Sequence, residues 1–225
     1  LPTPVKEEAE AMGIEVFQPH SCNTEEALEK LKAQEADLFV VVAYGQILSE
    51  AVLAIPKKHI VNVHSSLLPK YRGAAPMQWA ILNGDEETGV SLMQVEAGLD
   101  SGPVYAMKKT PIGDKNFGDI HDELANFGAD LIREFVRDME NDAVKFTEQD
   151  HDKATYASKI DEELLTLKAE ELTAHEFLQK IRAFSPAPGS RFLFRGEHLK
   201  IYDGELSDEK VPTGRFKATK KQLWI

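Results

Sequence analysis

The sequence predicts an α/β protein that carries a smaller β domain at its C-terminal end, and three observations support this. Apolar runs of strand length alternate with segments of helical period from the start of the chain to Lys145. The polar stretch FTEQDHDKATYASKIDEELL then sustains neither strand nor helical periodicity. Beyond it, short apolar runs separated by glycines and charged turns take over.

Each element has a local reason. Thr3 as N-cap, Pro4 at the first helical position and Gly13 as the stop predict a first helix. IEVFQP reads as a short strand, and TEEALEKLKAQ as a helix with Ala27, Leu28 and Leu31 on one face. The apolar run DLFVVVAY predicts a fully buried strand of a parallel sheet. IVNVHSS is the next strand, SLLPKYRGAA a loop, and PMQWAILNG a helix. GVSLMQVEAG and GPVYAMKKTPI follow as two strands, and a helix over 119–140 aligns Ile120, Leu124, Phe127, Leu131 and Phe135 in one stripe. Residues 146–172 read as an ordered connector between a domain over 1–145 and a second over 173–225. The second opens on a capping box, Thr173 to Glu176, whose helix buries Phe177 and Ile181 and ends before Ser185-Pro186-Ala187-Pro188-Gly189. RFLFRG, HLKIYDGEL, TGRFKAT and KQLWI complete it as strands.

Bulk properties exclude several classes. No apolar run approaches the length of a bilayer span and nothing at the start reads as a signal peptide, so a soluble, cytoplasmic protein is expected. The lone Cys22 forms no internal disulfide and reads as structural filler. A net charge of −12 argues against a general nucleic-acid coat. Residues 180–225 nevertheless carry ten Lys/Arg against five Asp/Glu, a local +5, while residues 1–179 carry sixteen against thirty-three, a local −17. A basic end on an acidic body suggests a localised anionic partner, although an ordinary mixed surface explains it as well.

Candidate chemistry gathers around one strand end. Asn62 and His64 are two residues apart, so the pleat points both side chains to one face, at the carboxyl end where α/β sheets collect ligands. An Asn supplies an amide donor for an oxyanion and a His a proton near neutral pH. A buried pair satisfying loop backbone is an equal explanation. Pro69, Gly73 and Pro76 stiffen the following loop, and Lys70 and Arg72 are expected to place two cations beside the pair. Asp100, between Gly98 and Gly102, is placed to approach and orient His64, or is simply a turn residue. No HxH or HExxH spacing occurs and one cysteine cannot build a thiolate zinc site, so no metal is expected.

Asn62-Val-His64, Ser66-Leu-Leu-Pro69, Arg72-Gly-Ala-Ala-Pro76 and Gly98-Leu-Asp100-Ser-Gly-Pro103 together resemble the folate-dependent formyltransferase family, in its order and at its separations. VVAYGQIL, ETGVSLMQVEAGLDSGP, KATYASKI and IRAFSPAPG are similar to the branch that acts on charged initiator tRNA. The resemblance implies a Rossmann-like domain joined to a smaller C-terminal OB-type β-barrel. It also implies 10-formyltetrahydrofolate as donor, initiator methionyl-tRNA as acceptor, and catalytic roles for Asn62, His64 and Asp100. Ser66, Leu67, Leu68 and Pro69, with Gln46, Ile47 and Leu48, are similar to segments that hold the folate. A relative that formylates a nucleotide-linked amino sugar and a formyltetrahydrofolate hydrolase are the rival readings. A glycinamide transformylase fits less well, because the chain continues past the catalytic domain. The resemblance further leads us to expect a longer functional protein, with a first βαβ segment ahead of Leu1 and more barrel strands after Ile225, and a monomer.

Overall fold

The computed structural model describes residues 2–194, 196–212, 215–219 and 222–225. The chain divides into two units, Leu1–Phe39 with Tyr44–Ile60 and Val40–Ala43 with Val61–Ile225.

In the first unit, α1 (Pro4–Ala11) starts where the Thr3 hydroxyl accepts the Lys6 N–H. It stops at Gly13, whose φ of 70° lets the Gly13 and Ile14 N–H groups bond back to Glu10 and Ala9. The α2 helix (Glu25–Ala33) is capped by Thr24 and buries Ala27 completely. IEVFQP is not a strand: no sheet among the described residues includes it, and without a neighbouring edge its backbone stays irregular. β1 (Leu38–Val41), α3 (Glu50–Leu53) and β2 (His59–His64) follow, and β1 and β2 each run from the first unit into the second.

The second unit contains β3 (Arg72–Gly73), α4 (Pro76–Leu82), β4 (Glu87–Gln94), β5 (Val104–Pro111) and the long α5 (Phe117–Glu140). The main sheet has the order β1-β2-β4-β5. One expectation changes here, and one feature is new. DLFVVVAY forms strand only over Leu38–Val41, with Val40 and Val42 exposed, and among the described residues β1 has β2 as its one strand neighbour. The inner pairs also run antiparallel: β2 against β4 with Asn62 opposite Met93 and His64 opposite Ser91, and β4 against β5. Residues 95–103 are too few for the crossover that a parallel pair requires, so β4 and β5 are joined as a hairpin.

The α5 stripe behaves as its spacing predicts. Asn116 and Asp119 form a reciprocal capping box, and Ile120, Leu124, Leu131 and Phe135 are buried. On the same face Gly128 approaches Val63 so closely that an added Cβ would sit 2.8 Å from Cγ1. Val63 therefore faces α5, and strand alternation turns Asn62 and His64 to the opposite side of the sheet.

After α5 the chain adds a 3-10 turn (His151–Lys153), β6 (Tyr156–Ala157), α6 (Glu162–Leu165) and β7 (Thr166–Leu167). The α7 helix (Ala174–Ala183) opens on the expected Thr173 and Glu176 capping box and packs Phe177 and Ile181 with Phe192. β8 (Ser190–Phe194) and β9 (Glu197–Ile201) join β7 in a three-stranded sheet, and β10 (Lys217–Ala218) pairs with β11 (Leu223–Trp224). Among the described residues these strands do not close into a barrel. Arg195 of RFLFRG, Thr213 and Gly214 of TGRFKAT, and Lys221 of KQLWI lie outside the described residues.

Candidate active site

The site is assembled on the face of β2 and β4 that α5 leaves open. After His64 the chain folds back along β4, and Ser91 anchors it. The Ser91 hydroxyl donates to the Ser66 carbonyl at 2.6 Å and accepts the Leu68 N–H at 3.1 Å. Ser66 is fully buried, its own hydroxyl donating to the Lys70 carbonyl, and Leu68 packs with Met93 and Val104. Leu67 and Pro69 are half-buried.

A single contact decides which face of the His64 ring system is chemically available. His64 is buried, and its Nε2 lies 2.9 Å from the Tyr71 carbonyl oxygen. A carbonyl only accepts, so Nε2 carries the proton and donates it. Nδ1 faces the Asp100 carboxylate, with 3.7 Å between Nδ1 and Oδ2. A proton on Nδ1 would make this an ion pair, and without it Nδ1 presents a lone pair. Asn62 is half-buried on the same face, and no group among the described residues takes up its amide.

Asp100 is held from two sides. Its φ of 45° lies in the left-handed region, and its Oδ2 accepts the Gly73 N–H at 2.8 Å. Gly73 is required where it stands: φ is 112°, and an added Cβ would meet the Ala157 carbonyl oxygen at 2.6 Å. The second hold comes from the connector. Gln149, 7% exposed, donates its Nε2 to the carbonyls of Asp100 at 2.9 Å and Gly102 at 2.7 Å. Its Oε1 accepts from Arg72 Nη2 at 2.7 Å and Nε at 3.1 Å.

The expected pair of cations separates. Arg72 is buried to 4% exposure and binds neutral acceptors, Gln149 and His151 Nδ1 at 3.0 Å. Lys70 instead points to the surface and pairs with Asp85 at 3.4 Å, because Tyr71, at a φ of 58°, turns the backbone between them. Among the described residues no carboxylate lies within ion-pair distance of Arg72, so its charge remains beside the site. Gln149 and His151 were invisible to periodicity, since they sit in the stretch that has none. Neither carries a local signal, since the chain on either side of Gln149 and His151 is exposed.

Gln46, Ile47 and Leu48 belong to the first unit. The Gln46 side chain bridges the Cys22 N–H at 3.1 Å and the His20 carbonyl at 3.3 Å. Asn23 Nδ2 donates to the Ile47 carbonyl, and the Ile47 side chain is 89% exposed. Cys22 is free and buried. Among the described residues no group of three or more His, Cys, Asp or Glu is placed to hold a metal ion, and no helix is long and apolar enough to cross a membrane.

Residues 1–136 match the family model described as formyl transferase. The methionyl-tRNA formyltransferase of Acidithiobacillus ferrooxidans is 46% identical over 205 residues, 91% of this chain and 65% of that protein. That of Xanthomonas axonopodis pv. citri is 44% identical, covering 100% of this chain and 74% of the relative. The chain thus spans less than two thirds of the first relative's length. A solved N-formyltransferase from Helicobacter canadensis, in complex with folinic acid and dTDP-3-aminofucose, superposes with a TM-score of 0.73 at 20% identity, over 96% of this chain and 76% of that one. At that identity the likeness concerns the fold.

Proposed function

This chain belongs to the formyl transferase family, and from that premise we propose that it moves the formyl group of 10-formyltetrahydrofolate to the α-amine of initiator methionyl-tRNA. The observation that carries the chemistry is the pairing of His64 Nδ1 with Asp100 Oδ2, with His64 Nε2 already committed to Tyr71. Addition of an amine to a formyl carbonyl puts negative charge on the oxygen and leaves a proton to be moved to the departing nitrogen. Asn62 donates its free amide to that oxygen, the kind of contact that elsewhere contributes roughly 3 kcal/mol. His64 acts through Nδ1, as an acceptor when neutral and as a donor only after it gains the proton. Asp100 faces that nitrogen and stabilises the charged ring.

The donor is held, on this reading, by the Ser66–Pro69 and Gln46–Leu48 segments. The Ser66 and Leu68 side chains are spent inside the chain, so contact falls to Leu67, Pro69 and the backbone. In the second segment Gln46 is tied to residues 20–22, and Ile47 is left to present its side chain. The acceptor is read by residues 173–225, the basic end of the chain, as an OB-type domain. Residues 1–145 form the catalytic domain and 146–172 the connector, in a monomeric cytoplasmic enzyme.

The test is formyl transfer from 10-formyltetrahydrofolate to charged initiator tRNA, run beside uncharged tRNA, a nucleotide-linked amino sugar, and no acceptor. Product with charged tRNA alone supports the proposal. Equal formate release without acceptor assigns a hydrolase instead, and transfer to the amino sugar overturns the acceptor.

A further inference from the structure

Gln149 lies beyond residues 1–136, which carry the family match, in a segment whose sequence reads as a mere connector. Its carboxamide is nevertheless buried and completely engaged. One end donates to two carbonyls of the loop that bears Asp100, and the other accepts two bonds from the buried Arg72 guanidinium. Arg72 immediately precedes Gly73, whose N–H holds the Asp100 carboxylate. The same residue pair therefore fixes the backbone of Asp100 from one side and approaches its side-chain anchor from the other.

We propose that Gln149 is a positioning residue for Asp100, one that sets the carboxylate against His64 Nδ1 by clamping the loop over Asp100 and Gly102 to Arg72. The proposal rests on the reading of Asp100 as part of the proton path. A left-handed aspartate between two glycines has little intrinsic preference for a single conformation, so the clamp supplies the order that the loop's own sequence lacks. Orientation is what it contributes, because Gln149 itself is 7% exposed and touches the loop through backbone carbonyls only.

Gln149→Glu separates this role from simple support of the fold. The introduced carboxylate keeps the shape and still accepts from Arg72, now with charge complementarity, but it cannot donate to the two carbonyls. We expect kcat for formyl transfer to fall roughly tenfold to a hundredfold, with KM for 10-formyltetrahydrofolate within about twofold of the parent. The melting temperature should fall by several degrees at most, the cost of two carbonyls left without a donor, and stay above the assay temperature. The ratio of variant to parent turnover should rise as the pH falls, since a protonated carboxyl regains one O–H donor. Gln149→Met, which keeps the volume and removes every polar atom, should lose kcat without that recovery, and it serves as the readout if the Glu variant does not fold. Parent-like kcat in either folded variant, while Asp100→Asn is inactive, overturns the positioning role alone. A loss of turnover that only tracks a loss of melting temperature overturns it too. Full turnover in Asp100→Asn overturns the reading beneath it.

Discussion

At the scale of single residues, the proposed mechanism depends on the Tyr71 carbonyl more than on any charged neighbour. By taking the Nε2 proton it leaves His64 one working nitrogen, turned toward Asp100. His64→Ala and Asn62→Ala should each lower kcat by about two orders of magnitude with little change in folate affinity, as steady-state kinetics and equilibrium binding would measure. Turnover near the parent value in either variant removes that residue from the site. The shared face of Asn62 and His64 was legible in the sequence, because pleat alternation is a strictly local rule. Which ring nitrogen is free was not, since it depends on a carbonyl positioned by a left-handed residue in the following loop. The burial of Arg72 was equally hidden. A cation in a surface-like loop reads as exposed until its partner, 77 positions along the chain, is known.

Among the elements, β4 holds the loop that follows β2 through one hydroxyl. Ser91→Ala leaves a buried N–H of Leu68 and a buried carbonyl of Ser66 without their partner, and should cost about 1–3 kcal/mol in a denaturant titration. An unchanged unfolding midpoint would show that the loop holds itself. The β5 and α5 pair makes a second prediction. Burial, then the hydrogen bond its hydroxyl donates to Asp138 at 2.7 Å, pushes the Tyr105 phenol up to about 12. The folded-state value lies above the ordinary one near 10, so the stabilisation is complete below about pH 10 and is lost as the pH rises through about 12. Ultraviolet titration should show a late tyrosinate step that Tyr105→Phe removes, and persistence of that step would refute the assignment. Helices were the most legible elements, since caps such as Thr3 and Thr173 and the α5 stripe are written within one turn of where they act. Strands were less so. Among the described residues IEVFQP has no strand partner and DLFVVVAY is strand over only four residues, and pairing of this kind is not encoded in the run itself.

For the whole molecule, the division of charge is the property with the widest consequence. Residues 180–225 carry +5 on a chain of −12, and Lys200 and Arg215 are exposed within that stretch. Replacing both by alanine should weaken charged-tRNA binding and lower the salt dependence of log K by up to about 2, leaving folate binding intact. An unaltered salt slope would place the acceptor elsewhere. The alternation that predicted an α/β fold held at this scale, and the antiparallel pairs β2–β4 and β4–β5 add a feature that periodicity does not address. The pairing of β3 with β6 carries a consequence for how the protein is made. Arg72 and Gly73 find their ladder partners only at Tyr156 and Ala157, so a ribosome must release residues far beyond Asp100 before the strand beside it can form. On the proposed roles, a nascent chain emerged only as far as Lys145 holds Asn62, His64 and Asp100 without the strand and the glutamine that brace them, and should show no formyl transfer until that later segment arrives.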